Sequence, residues 1–122
     1  MRMSWIVWLI VAVVLLPGIA WSAGDAAKGK EKYQELCAAC HGASCKGDGP
    51  AAPALPTKPR DHTDAAYMDK LTDEQVFNII KTGGAAAGKS PLMPAWGGPP
   101  PKLSDQQIQD LVAYIRTLAG AK

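Results

Sequence analysis

The 122-residue sequence predicts an all-α fold. Two segments carry complete helix-start signals ahead of apolar faces at three- and four-residue spacing, a third shows the same periodicity, and no convincing alternation marks a strand. The helices are separated by long Pro- and Gly-rich stretches, and a chain with a single Phe has little aromatic area for its interior. This length supports one core of ordinary size. Long loops in so small a domain usually wrap something, and a cofactor would fill the place that aromatic side chains leave.

The first element is a leader. Residues 1 to 22 read MRMSWIVWLIVAVVLLPGIAWS: one Arg, an apolar run, the breakers Pro17 and Gly18, then small residues. This is the pattern of a secretory signal peptide cleaved after Ser22, or one residue later after Ala23. An uncleaved anchor is the alternative, although residues 5 to 21 only just reach the minimum spanning length of about 17 residues and are interrupted by Pro17 and Gly18. On either reading residues 23 to 122 form one domain on the periplasmic side. Losing Arg2 with the leader takes one from 13 basic side chains, against 11 acidic ones. So even a balance leaves no nucleic-acid footprint, and the scattered lysines read as a solvated surface.

A helix follows over residues 25 to about 40, with Asp25 as N-cap and Gly29, Tyr33, Leu36, Cys37 and Cys40 on one face, which turns both cysteines inward. After a loop over residues 42 to about 60 comes a short helical turn near residues 64 to 68. Thr72 and Gln75 then form a capping box, and Leu71 and Val76 a hydrophobic staple, for a helix whose face is Val76, Phe77, Ile79 and Ile80 and whose stop is Gly83-Gly84. A second loop covers residues 83 to 101. The last helix repeats the device, pairing Ser104 with Gln107 and Leu103 with Ile108. Its face is Ile108, Leu111, Val112, Ile115 and Leu118, and Gly120 ends it.

The chemistry is concentrated in CAACHGASC, residues 37 to 45, which holds all three cysteines and one of the two histidines. A CxxC pair alone suits a redox dithiol, half a zinc site or haem attachment. His41 directly after Cys40 favours haem: thiols at i and i+3 reach the two vinyl groups of one haem, and the adjacent imidazole becomes an axial ligand of the iron. A thioredoxin-type site would need a strand leading into the motif. Zinc would need two more ligands, and only the badly spaced Cys45 and His62 remain.

The second axial position has three candidates. Met93 lies in KSPLMPAWGG, where Pro91 and Pro94 restrict the loop enough to hold a weak thioether ligand. Met68, next to Tyr67, reads as a gap-filling core residue. His62, in the polar stretch RDHTD, is the competing ligand, although a lone His in such a setting is more often solvated.

On these residues the sequence resembles the class I cytochromes c, the small bacterial monohaem kind, over residues 25 to 119. The carriers are Gly29 and Tyr33, CAACH, GDGP at residues 47 to 50, Met93 in its loop, and Leu111 with Tyr114. The resemblance implies a cytochrome c fold in which the first and last helices cross at Gly29 and the loops wrap one haem c, held covalently by Cys37 and Cys40. It also implies that the carbonyl of Pro50, or alternatively Pro53, accepts a hydrogen bond from the far ring nitrogen of His41. Arg60 and Trp96 are candidates for hydrogen-bonding the haem propionates, a surface Arg and a core Trp being the plainer alternative. Cys45 stands where the family usually has a small residue such as Gly. It is either a buried, inert thiol or the link to a second chain in a disulfide-bonded dimer.

The function expected is a monomeric periplasmic electron carrier with His41 and Met93 on the iron, passing single electrons between redox partner proteins through an exposed haem edge. Two protein ligands leave no position for a substrate, so no enzyme activity is expected. One alternative is a haem c subunit of a larger membrane-associated respiratory complex, tethered by the uncleaved leader. Another is a haem enzyme or gas sensor with an open sixth position and Met93 as core.

Overall fold

The computed structural model describes residues 23 to 120. The expected leader, with cleavage expected after Ser22 or Ala23, lies outside the described residues except for Ala23. Among the described residues there is no strand, and no helix is long and apolar enough to cross a membrane.

Within the described residues five α-helices follow one another: α1 (Ala26–Leu36), α2 (Ala38–His41), α3 (Ala65–Met68), α4 (Asp73–Thr82) and α5 (Asp105–Leu118), with short 3-10 turns at Ala52–Ala54 and Ala85–Ala87. The helix expected to run from residue 25 to about 40 is therefore two. Cys37, at φ −107°, opens the winding between them, although its N–H still bonds the carbonyl of Tyr33 and its own carbonyl still receives the N–H of His41.

The starts of the helices follow from their caps. Asp25 accepts from the N–H groups of Ala27 and Lys28, and both capping boxes form: Thr72 with Gln75 for α4, Ser104 with Gln107 for α5. Each satisfies two N–H groups that the first turn leaves unpaired.

The core lies where α1 crosses α5. A Cβ on Gly29 would stand 1.9 Å from the carbonyl oxygen of Asp110 and 2.9 Å from Cβ of Tyr114, so only glycine permits this approach. Tyr33, Ile108 and Leu111 are fully buried around the crossing, with Tyr114 edge-on to Tyr33 at 5.3 Å. The buried carboxylate of Asp110 receives the N–H of Asp25 at 2.7 Å and the side-chain amide of Gln106 at 3.0 Å, tying the start of α1 to the middle of α5. At the other end of α5, Arg116 donates to the carbonyls of Met68 and Leu71 and to the carboxylate of Asp73, fastening α5 to the turn between α3 and α4. These ties hold the helices around a central cavity.

Candidate cofactor site

The cavity has a volume of about 390 Å³, within the range of small-molecule sites. Leu36, Leu71, Val76, Ile80 and Ile115 give it apolar walls. Cys37, Cys40 and His41 reach it from the α1–α2 junction, and Met68, Met93, Arg60, His62 and Trp96 also line it. Two of the expected site residues are placed differently from the sequence reading: Pro50 and His62.

Burial pushes the Cys37 thiol up to about 12, helped by the neighbouring Cys40 and Cys45. A thiol-disulfide site needs the reverse, a thiolate made accessible by a lowered pKa, so Cys37 is not poised as the nucleophile of such a site. Among the described residues no group of three His, Cys, Asp or Glu side chains is arranged to hold a metal ion by itself.

Burial lowers the pKa of His41, opposed by a hydrogen bond to the carbonyl of Arg60. That bond, Nδ1 to oxygen at 3.0 Å, requires the proton on Nδ1, because a carbonyl only accepts. The neutral ring then keeps its lone pair on Nε2, the form in which imidazole ligates a metal. The acceptor is thus Arg60, not Pro50 or Pro53. The GDGP turn runs along the outside of α2, with the N–H of Gly49 on the carbonyl of Cys40 and that of Ala51 on Ala39. Pro50 and Pro53 are left exposed.

His62 is not solvated. Its N–H donates to the carbonyl of Cys45 at 2.8 Å, which draws the RDHTD segment against the loop after CAACH. Its ring turns inward, Nδ1 lying 2.8 Å from the hydroxyl of Tyr33, and stacks on His41 with ring centres 4.3 Å apart and planes 20° from parallel. Burial first, and then His41, pushes its pKa down to about 3, so it is neutral. An iron between two imidazoles, each nitrogen about 2 Å away, would hold the ring centres farther apart than this. His62 therefore stands beside His41 and cannot share an axial pair with it in this arrangement.

Met93 belongs to a loop seated on the end of α4. Its carbonyl accepts from the N–H of Gly84 at 3.0 Å and its N–H donates to Ser90 at 3.2 Å. Gly83-Gly84, read from sequence as a helix stop, is also the seat of this loop: a Cβ on Gly84 would lie 2.1 Å from the carbonyl oxygen of Ser90 and 3.0 Å from Cβ of Met93. Met68 is buried in the core cluster, as a gap-filling residue would be.

At the edge of the cavity Arg60 lies 3.6 Å over the ring of Tyr67, and Lys89 donates to the Tyr67 hydroxyl at 2.8 Å, which lowers that phenol's pKa. Neither cation is ion-paired among the described residues. Trp96, half-buried, is held by its N–H on Ile80 and by the N–H groups of Lys102 and Leu103 on its carbonyl. Sequence reasoning missed Tyr67 and Lys89 as site residues, since nothing local in their spacing announces that they meet.

Cys45 is buried with 1% exposure, its sulfur 3.6 Å from the hydroxyl of Tyr114. A disulfide to a second chain would require this loop to open, so the structure supports the inert thiol. Cys45 has φ +63°, a conformation that favours glycine, which explains why a small residue suits the position.

The family model for cytochrome c matches residues 26–119. Over 119 residues, 90% of the chain, the sequence is 36% identical to the cbb3-type cytochrome c oxidase subunit CcoP of Azospirillum sp. (strain B510). Over 99 residues it is 32% identical to the FixP subunit of Bradyrhizobium diazoefficiens, covering 80% of the chain. The matched regions are 34% and 29% of those proteins, so the chain spans about a third of the length of these relatives. Among solved structures, the KustC0563 c-type cytochrome superposes with TM-score 0.56 at 24% identity, covering 75% of this chain and 96% of that one. A chain of the Kuenenia stuttgartiensis reducing HAO-like protein complex Kustc0457/Kustc0458 superposes with TM-score 0.60 at 23% identity, covering 78% and 43%. At these identities the likeness shows the fold. Two thiols three residues apart, a neutral imidazole and an apolar cavity fit the group that such a fold encloses: the chain belongs to the cytochrome c family, and its cofactor is haem c, attached covalently through Cys37 and Cys40.

Proposed function

We propose that this chain is an electron-transfer domain that works on the periplasmic side of the membrane with a cbb3-type terminal oxidase, and that His41 and Met93 are its axial ligands. The observation that carries the association is the match to oxidase subunits over four-fifths or more of the chain. It favours a complex-associated domain over the freely diffusing carrier suggested by the small size. The relatives' names speak for whole proteins about three times as long, so partner and membrane attachment are part of the proposal.

When bound, haem c supplies a one-electron ferric/ferrous couple. The chain does the rest. The carbonyl of Arg60 holds the proton of His41 on Nδ1 and leaves Nε2 free to ligate. Gly83-Gly84, the bond from the N–H of Gly84 to Met93 and that from the N–H of Met93 to the carbonyl of Ser90 hold the Met93 loop, and the thioether would favour the ferrous state. The apolar walls exclude water. Arg60, Lys89 and Trp96, at the edge of the cavity, are suited to the propionates, since an Arg fork and an ammonium match carboxylates. With His41 and Met93 both holding the iron, no position would be left for a substrate, and the group would supply electron transfer alone.

The test is oxidation of the ferrous protein, in air, by membranes that contain a cbb3 oxidase and by membranes of the same strain lacking it. Fast oxidation by the first alone is expected. Equal rates would refute the association with the oxidase, and rapid, complete carbon monoxide binding at neutral pH would refute His/Met ligation.

A further inference from the structure

We propose that His62 is a positioning residue that fixes the rotational angle of the His41 imidazole. The proposal rests on the reading of His41 as an axial ligand. The peptide Arg60-Asp61-His62 touches His41 twice: the carbonyl of Arg60 meets the edge of the ring at Nδ1, and the ring of His62 covers its face at 4.3 Å. A single hydrogen bond at the edge leaves the ring able to rock about its Cβ–Cγ bond. A flat group stacked on the face opposes that motion, because rotation drives one ring edge into it.

His62 is itself held from two directions. Its backbone N–H is pinned to the carbonyl of Cys45 at 2.8 Å, and its Nδ1 is engaged by the hydroxyl of Tyr33 at 2.8 Å. Tyr33 is fully buried and fixed in turn by its edge-on contact with Tyr114 in the α1–α5 crossing. A line of contacts thus runs from the helix crossing through Tyr33 and His62 to the ring of His41. It also assigns a purpose to the left-handed backbone at Cys45: that residue presents the carbonyl that anchors His62.

The plane of an axial imidazole determines how unpaired spin is shared among the four haem methyl groups in the ferric state, so proton NMR of the ferric holoprotein reads the angle directly. In His62→Ala the methyl shift pattern should change, and exchange of the His41 Nδ1 proton with solvent should quicken by about two- to tenfold, the loss of one ring-pair contact. His62→Phe, which keeps a flat face, should restore the wild-type pattern. His62→Leu, which keeps much of the volume without the flat face, gives the same comparison if the alanine variant fails to fold. Tyr33→Phe should give a smaller change in the same sense as His62→Ala. A wild-type methyl pattern and exchange rate in a folded His62→Ala or His62→Leu protein would overturn the proposal. Failure of the underlying reading looks different: if His41 is not a ligand, the wild-type ferric protein itself shows no hyperfine-shifted resonances from the His41 ring.

Discussion

Replacing Gly84 by alanine should loosen the loop that carries Met93, and the cost can be worked from the geometry. Gly84 has φ −66° and ψ −39°, ordinary right-handed values, so alanine meets no backbone penalty there and gains about 0.4–1 kcal/mol by restricting the unfolded chain. The new Cβ, however, would lie 2.1 Å from the carbonyl oxygen of Ser90, where real contacts begin at 3.0 Å. The loop must retreat by about 0.9 Å, and the neighbouring contact with Cβ of Met93, already 3.0 Å, retreats with it. Overpacking of this kind costs about 1–3 kcal/mol, all of it set against the closed loop, because the unfolded-chain gain is common to the closed and open forms. At tenfold per 1.4 kcal/mol, the loop-open form becomes at least about fivefold, and up to about a hundredfold, more populated. Titration of the ferric protein with imidazole reads this as an affinity gain of the same size. Gly88→Ala is the control: nothing lies within 4 Å of its Cβ, and its φ of +67° makes alanine cost about 1 kcal/mol of stability without pushing on Met93. Unchanged imidazole affinity in Gly84→Ala would refute the argument that this glycine seats the loop.

Gly29→Ala brings a Cβ to 1.9 Å from the Asp110 carbonyl. The overpacking exceeds the helix-propensity gain of about 1 kcal/mol, so the denaturant midpoint should fall, corresponding to a loss of up to about 2 kcal/mol; a raised midpoint would contradict the close crossing. Cys37→Ala or Cys40→Ala should prevent normal attachment, read as a loss of the alkaline pyridine haemochrome band or as its shift, since at most one thioether can then form. His62 predicts an acid dependence of defined sign. The unfolded chain takes up a proton near pH 6.5 while the fold resists it down to about 3. This residue's contribution to stability is therefore fully present above about 6.5 and is lost as pH falls toward 3, with a limiting slope of about 1.4 kcal/mol per pH unit. Subtracting the stability profile of His62→Phe from that of the wild type should leave that slope, and a flat difference would show that the ring is already accessible to protons.

The legible parts of this molecule are those whose cause is local. The capping boxes at Thr72 and Ser104 depend on residues three apart, and CAACH compresses two attachment points and the proposed ligand into five positions, so helices and motif could be read directly. The Arg60 carbonyl that orients His41 could not, because it is a backbone group nineteen residues away that carries no side-chain signature; the proline of GDGP was the nearer guess. The polar surroundings of His62 suggested solvent, while one backbone bond to Cys45 and one hydroxyl on Tyr33 bring it inside. Gly83-Gly84 was correctly read as a stop, but its second role depends on a loop that returns from residue 90 onward. The Tyr67 cluster joins Arg60 and Lys89 from loops on either side of α4, a meeting that only the tertiary fold arranges.

The measurement that bears most directly on the central claim is the ferric absorption spectrum in the far red, taken on wild type and Met93→Ala. A weak Met-to-iron charge-transfer band in the wild type, lost in Met93→Ala while haem stays covalently bound and the iron becomes open to imidazole, is the result the account predicts. A wild-type spectrum without that band, or one unchanged by Met93→Ala, would contradict His41/Met93 ligation and with it the reading of the domain as a closed electron carrier.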